Sequence, residues 1–360
     1  MPFSDTHHWT CTEKGNCAAR RRRETMPATI RDIKNRTGLS LATISKYLNG
    51  GNVLPKNKVL IEEAIEALHY EVNEIARGLV TNQTKLIGVM VYDIESFFSG
   101  SILHYISYEM RKRGYGVLIC DSYNNEEVEK QNLKFLLGKK VDGILLLPVS
   151  LSGAFVRPAR EAGVPVVLID RSFTDEEYDF VGIDNHMTAY RAVNMLIENH
   201  HKKIAVITSD VEYTGMARLE GYRSAMYKAG LFAPACYQWL GKHSFELGYE
   251  GMKQLLALED PPTGIFLGNY ETTLGGIMAV NELGLSWPED ISLIGFDDLI
   301  VSRVVRPKIW MAVQPMGEMC SKAVDILMHC IEQKENRLPI KVHYSAQIQK
   351  GSSIRDLGEA

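Results

Sequence analysis

Seven short apolar runs constrain this chain more than any other feature. They are Leu86 to Val91, Val117 to Cys120, Gly143 to Leu147, Val166 to Ile169, Ile204 to Thr208, Gly264 to Leu267 and Ile291 to Ile294. Each has the length and continuous hydrophobicity of a strand covered on both faces, and amphipathic helical patterns separate most of them. Such alternation predicts parallel sheets with helices on their faces, an α/β architecture whose ligand chemistry lies at the carboxyl ends of the strands.

These runs begin only after residue 85. With 360 residues the chain has room for two or three units that each bury a core. The longest apolar run, Gly143 to Val149, falls far short of a bilayer span, and no apolar leader opens the sequence. A cytoplasmic protein without a membrane partner is expected. Cysteines at 11, 17, 120, 236, 320 and 330 show no paired spacing, so reduced thiols are expected. The net charge of −4 conceals an asymmetry: between Pro27 and Lys58 six bases face the single acid Asp32, a net of +5. A short basic unit can approach phosphates while the acidic remainder is repelled by them.

That basic unit reads as three helices. Thr29 caps the first, Ile30 and Ile33 share a face and Gly38 stops it. Ser40 caps the second, where Ile44 and Leu48 face inward until Asn49-Gly50-Gly51. Pro55 opens the third, striped by Ile61, Ala64, Ile65 and Leu68. Two short helices about a glycine turn, propped by a third, make a helix-turn-helix headpiece over 27–72. Residues 1–26 show no hydrophobic period and read as a disordered extension; His7, His8, Cys11 and Cys17 lack standard zinc-ligand spacing, and no metal or cofactor is expected. Residues 73–84 read as a linker with helical spacing but no core of its own.

Several segments, in order, carry a resemblance: ATIRDIKNRTGLSLATISKYLNGG, ARLE followed by GYRSAM, ISLIGFDD and QPMGEM. Together they resemble the lactose-repressor (LacI/GalR) family of bacterial transcription regulators, from about Ala28 to Ser353. The resemblance implies a homodimer that binds operator DNA through its headpieces, a hinge helix in the linker, and a two-lobed core like that of periplasmic sugar-binding proteins. It divides residues 85–353 into an N-lobe of about 85–184 plus 316–343 and a C-lobe of about 185–312 plus 344–353, with 354–360 as a tail.

Onto this sequence the resemblance places Leu41, Ala42 and Lys46 at the base edges of a major groove. Leu41 and Ala42 suit thymine methyls, and Lys46 suits guanine acceptors or a phosphate. Thr29, Thr43, Ser45 and Asn49 fall among the DNA contacts, the last three toward phosphates. Lys46 stands where arginine is usual, which leaves the base preference open. In the linker, Asn73 caps a hinge helix, Ala76 permits close pairing of two hinges, and Leu79 wedges into the minor groove. An isolated helix of eight residues is unstable in water, so DNA and the dimer mate are expected to induce it.

The effector positions implied in the core are Phe97, Phe98, Asp170, Arg218, His243, Asn269, Asp297 and Gln314. A sugar needs charged and amide groups about its hydroxyls and an aromatic surface for its ring, and this set supplies both. Tyr270 replaces the acid that commonly follows Asn269. A corepressor such as a purine, a sugar phosphate or a partner protein is the alternative to a sugar inducer. An enzyme on a doubly wound fold is the competing class, but GxGxxG after a strand, GxxxxGK[ST], HExxH and GxSxG are all missing from the sequence.

Overall fold

A computed structural model of the protein describes residues 28–71, 83–297, 304–333 and 337–358. They fall into two units, Met1–Arg77 and Gly78–Ala360. In the first, α1 (Ile30–Thr37), α2 (Leu41–Leu48) and α3 (Pro55–Leu68) enclose Ile33, Ile44, Ile61 and Ala64. The caps lie where the sequence puts them. The Asp32 carboxylate accepts from Thr29 N at 2.8 Å and Thr29 Oγ1 at 2.7 Å, bonds that hold its pKa below the ordinary value. Gly38, at φ 71°, ends α1 in the left-handed region, and Ser40 Oγ accepts from Thr43 N at 3.1 Å to start α2.

The second unit contains two six-stranded sheets. The first combines β1 (Leu86–Val91), β2 (Gly116–Asp121), β3 (Gly143–Leu146), β4 (Val166–Ile169) and β5 (Asp179–Ile183), with α4 (Phe97–Lys112), α5 (Glu126–Gly138) and α6 (Arg157–Glu161) between them. The second combines β6 (Ile204–Thr208), β7 (Gln238–Leu240), β8 (Gly264–Leu267), β9 (Ser292–Phe296) and β10 (Trp310–Val313). They are joined by α8 (Tyr213–Lys228), α9 (Phe245–Leu256) and α10 (Tyr270–Glu282), and α7 (Asn185–Glu198) leads in from β5. After α11 (Met316–Gln333), β11 (Lys341–Tyr344) returns to the first sheet and β12 (Gln347–Gln349) to the second.

The strand orders are β11-β5-β4-β3-β1-β2 and β12-β10-β9-β8-β6-β7, two copies of one doubly wound pattern. All pairings are parallel except β10 with β12, which is antiparallel and is the one departure from the expected parallel sheets. Both faces of β3, β4, β6, β8 and β9 are buried, which explains why these segments read as unbroken apolar runs. The chain passes from one sheet to the other three times: at Asp184 after β5, at Gln314 and Pro315 after β10, and at Ser345 and Ala346 after β11. α7 packs on the second sheet and α11 on the first.

Candidate functional site

The carboxyl ends of β4 and β9, strands in equivalent places in the two sheets, each bear an aspartate in the left-handed region. Asp170 has φ 66° and Asp297 φ 73°, and both are 4% exposed. Aspartate tolerates this conformation better than most residues, and the neighbouring strand fixes each one: Asp170 N donates to Val181 O at 2.9 Å, Asp297 N to Ala312 O at 2.8 Å. Gln314, at the second crossing, donates through Nε2 to Asp297 Oδ1 at 2.7 Å. Asp170 Oδ1 and Gln314 Oε1 are buried acceptors that find no donor among the described residues. In a dry interior such atoms cost about 1–3 kcal/mol each, so they mark places for an absent donor.

Arg218, on α8 and 3% exposed, lies flat with its guanidinium 3.7 Å from the Phe296 ring centre. Its Nε donates to Asn185 Oδ1 at 2.8 Å and its Nη1 to Gly268 O at 2.7 Å. Nη2 makes no hydrogen bond among the described residues. Burial pushes Asp170 up to about 6; Arg218 and Arg171 pull the other way, and Asp297 and Glu212 add to the rise.

A second network joins the two sheets. Arg171, after Asp170, lies 3.9 Å over the Tyr92 ring and donates through Nη2 to Glu212 Oε1 at 3.1 Å, while its buried Nε, 4.0 Å from Asp170 Oδ2, makes no hydrogen bond among the described residues. Glu212 Oε2 accepts from His243 N at 2.8 Å and meets His243 Nδ1 at 2.8 Å. Burial opposes the charge on Glu212, but His243 and Arg171 outweigh it and hold the carboxyl well below its ordinary range. Ser96 Oγ donates to Glu271 Oε1 at 2.9 Å, Lys242 Nζ to Asn124 O at 3.3 Å, and Phe97 stacks on Tyr270 with ring centres 4.9 Å apart and planes 7° from parallel.

Of the eight core residues expected to meet an effector, Asp170, Asp297, Gln314 and Arg218 form one buried cluster. His243 joins the Glu212 network instead of lying free in a loop. Phe97 faces Tyr270 across the sheets. Phe98 is 5% exposed and belongs to the apolar core cluster with Ile102 and Ile106, since adjacent residues at a helix start point in different directions. Asn269 is engaged locally. Its Oδ1 caps α10 by accepting from Thr272 N at 2.9 Å, and its Nδ2 donates to Glu271. Sequence reasoning missed Tyr92, Ser96, Glu212 and Glu271; the readable signal was their position just beyond β1, β6 and β8.

In the first unit, Leu41, Ala42, Lys46 and Asn49 are exposed on α2, and Thr43 and Ser45 are half-buried. Thr43 Oγ1 meets Ser40 Oγ at 2.9 Å, Asn49 Nδ2 donates to Ser45 Oγ at 3.3 Å, and Thr29 is tied to Asp32. The Lys46 stem covers Gly51, where a Cβ would fall 2.6 Å from Lys46 Cγ. Leu41, Ala42 and Lys46 are all exposed on this helix. Asn73, Ala76 and Leu79 lie outside the described residues. Among those residues no group of His, Cys, Asp or Glu is arranged to hold a metal, and no helix is long and apolar enough to cross a membrane.

Comparison with known proteins agrees with this arrangement. A family model described as a periplasmic binding protein-like domain matches residues 193–354. Catabolite control protein A of Priestia megaterium is 32% identical over 305 residues, covering 84% of this chain and 92% of the relative. The HTH-type transcriptional repressor PurR of Pasteurella multocida (strain Pm70) is 32% identical over 332 residues, covering 91% and 99%. The crystal structure of the lac repressor dimer bound to operator and the anti-inducer ONPF superposes with a TM-score of 0.80 over 91% of this chain and all of the other; at 22% identity it speaks for the fold alone. With relatives this similar along nearly its whole length, the chain belongs to the lactose-repressor (LacI/GalR) family of bacterial transcription regulators.

Proposed function

We propose that the protein is a dimeric, cytoplasmic transcriptional repressor. It binds a near-palindromic operator and responds to a sugar held between the two lobes of its core. The observation that carries the effector reading is the pair of unpartnered acceptors, Asp170 Oδ1 and Gln314 Oε1, beside the fixed guanidinium of Arg218. A polyhydroxylated ligand supplies donors to both oxygens and an acceptor to Arg218 Nη2. Supporting contacts come from Asp297 and the aromatic ring of Phe97. Binding rather than turnover is the output, in keeping with a relative named as a transcriptional repressor.

The operator reading rests on α2, where Leu41, Ala42 and Lys46 are exposed; Thr43, Ser45 and Asn49 are assigned to phosphates and Thr29 to a further DNA contact. A linker that becomes helical on DNA, with Asn73 as cap, Ala76 at the pairing face and Leu79 as wedge, completes the device. An effector that prefers one lobe arrangement by about 1–3 kcal/mol changes operator affinity by about 5- to 150-fold.

A thermal-shift screen of the full chain against sugars, sugar phosphates and purines tests the cleft, since a bound ligand stabilises in proportion to its concentration over Kd. Duplex titrations with and without each hit then give the sign. Release from DNA identifies an inducer and tightening a corepressor. Stabilisation by sugar phosphates or purines to the exclusion of neutral sugars overturns the sugar assignment, and failure to prefer any duplex over competitor DNA overturns the repressor.

A further inference from the structure

At the amino end of β1, opposite the aspartate-bearing strand ends, the chain enters its second unit through a clasp that the operator reading does not use. Asp142, just before β3, accepts three hydrogen bonds from the two residues that precede β1: Thr84 N at 2.7 Å and Thr84 Oγ1 at 2.9 Å to Oδ1, the hydroxyl's one proton being shared with Lys140 O, also at 2.9 Å, and Lys85 N at 3.0 Å to Oδ2. These are the final residues between the 72–82 segment and the core. Asp142 N in turn donates to Leu86 O at 2.8 Å, and Gly116 N, at the start of β2, donates to Lys85 O at 2.8 Å. Lys85 has φ 56°, an unfavourable conformation for lysine that makes the chain turn sharply here. Its ammonium is held 3.3 Å from Tyr115 Oη and 4.5 Å from the Tyr115 ring centre.

The turn that leads into β1 is therefore held by one carboxylate. A backbone amide at Thr84 or Lys85 is satisfied by no helix or ladder of its own, and without the carboxylate the strained turn at Lys85 loses the acceptor that opposes its relaxation. We infer that Asp142 is a positioning residue for operator recognition: it fixes the turn at Thr84 and Lys85 through which the chain enters the first sheet of the core. The inference rests on the operator reading above. A headpiece that must meet one half-site while its dimer mate meets the other depends on where its tether is anchored, whereas nonspecific attraction to phosphates does not.

The test uses the full chain and two variants. Asp142→Asn keeps the side-chain shape but turns one acceptor into a donor facing a backbone N–H, and Thr84→Ala leaves both backbone bonds to Asp142 and removes the hydroxyl with its contacts to Asp142, Lys140 O and Leu86 N. Amide hydrogen exchange at positions 84 and 85 is measured together with affinity for a duplex enriched from a random pool by the wild type, and for a scrambled duplex of the same length. For Asp142→Asn, exchange at both amides accelerates at least tenfold and affinity for the enriched duplex falls at least tenfold, with scrambled-duplex affinity within twofold of wild type. Thr84→Ala shows a smaller change in the same direction. Unchanged exchange in both variants overturns the clasp. Faster exchange with unchanged specific affinity, or with equal losses on both duplexes, overturns the positioning role. If the wild type enriches no duplex, the operator reading fails and the positioning role falls with it, while exchange still decides whether Asp142 holds the turn.

Discussion

Replacing Arg218 by methionine keeps an apolar stem over Phe296 and removes the fork. Two hydrogen bonds from a charged donor disappear, and Asn185 Oδ1 and Gly268 O lose their donor in a buried site. Breaking a buried charged interaction of this kind costs about 3–5 kcal/mol, with a desolvated cation–π contact of about 2 kcal/mol contributing to it. A loss of about 4 kcal/mol at pH 7 is expected. The loss also depends on pH. Asp170, pushed up to about 6 by burial, has a folded pKa above the ordinary 3.8, so the folded state retains a proton between those values and loses stability as pH rises through them. Arg218 limits that loss by favouring the ionised carboxylate. Without it the decline continues to higher pH, so the deficit of Arg218→Met at pH 7 exceeds that at pH 5 by about 1 kcal/mol. Urea unfolding followed by the fluorescence of Trp239, Trp287 and Trp310 measures both quantities. A deficit below about 1 kcal/mol, or one of equal size at the two pH values, refutes the reasoning.

Glu129 is fully buried, and its carboxylate accepts from Val149 N at 2.7 Å and Ser150 N at 3.1 Å, while burial pushes it up to about 7. Because that lies above the ordinary 4.5, wild-type stability falls by about 3 kcal/mol as pH rises between the two values; Glu129→Gln shows a shallower slope in melting temperature from pH 5 to 8, and an identical slope contradicts the assignment. Tyr270→Ala removes the Phe97 stack, worth about 0.5–1.5 kcal/mol beyond its buried area, and small-angle scattering of the ligand-free variant is expected to show a larger radius of gyration. An unchanged radius means that the polar contacts alone keep the lobes together. Ser40→Ala deletes the α2 cap and lowers headpiece stability by about 1 kcal/mol, read as faster amide exchange at Ile44; unaltered exchange shows the cap to be dispensable.

Most strands visible in the sequence were those buried on both faces; β2 was read from Val117 to Cys120 although only Cys120 in it is buried. β1, β4, β6 and β8 coincide with their apolar runs because continuous burial leaves no polar position to blur an end. β7, β11 and β12 escaped notice as short outer strands whose exposed positions admit Gln, Lys and His, so no run forms; β5 and β10, inner strands of five and four residues, escaped as well. The cleft followed the same division. Asp170 and Asp297 were legible because each directly follows a readable strand. Glu212 and Glu271 look like ordinary helix-start acids, and only the approach of Arg171 and Ser96 from the other sheet gives them a role. Nor does a sequence distinguish Phe97 from Phe98, since the choice between cleft and core depends on how α4 is rotated.

Three passages of backbone link the sheets, at 184, 314–315 and 345–346. A single strap would let the halves swivel about it, and two would still permit a scissoring twist. Three straps side by side behave as a flat ribbon, compliant to folding across its width and stiff against shear. Relative motion of the two halves is therefore expected to follow bending across these three straps and not a swivel about any one of them.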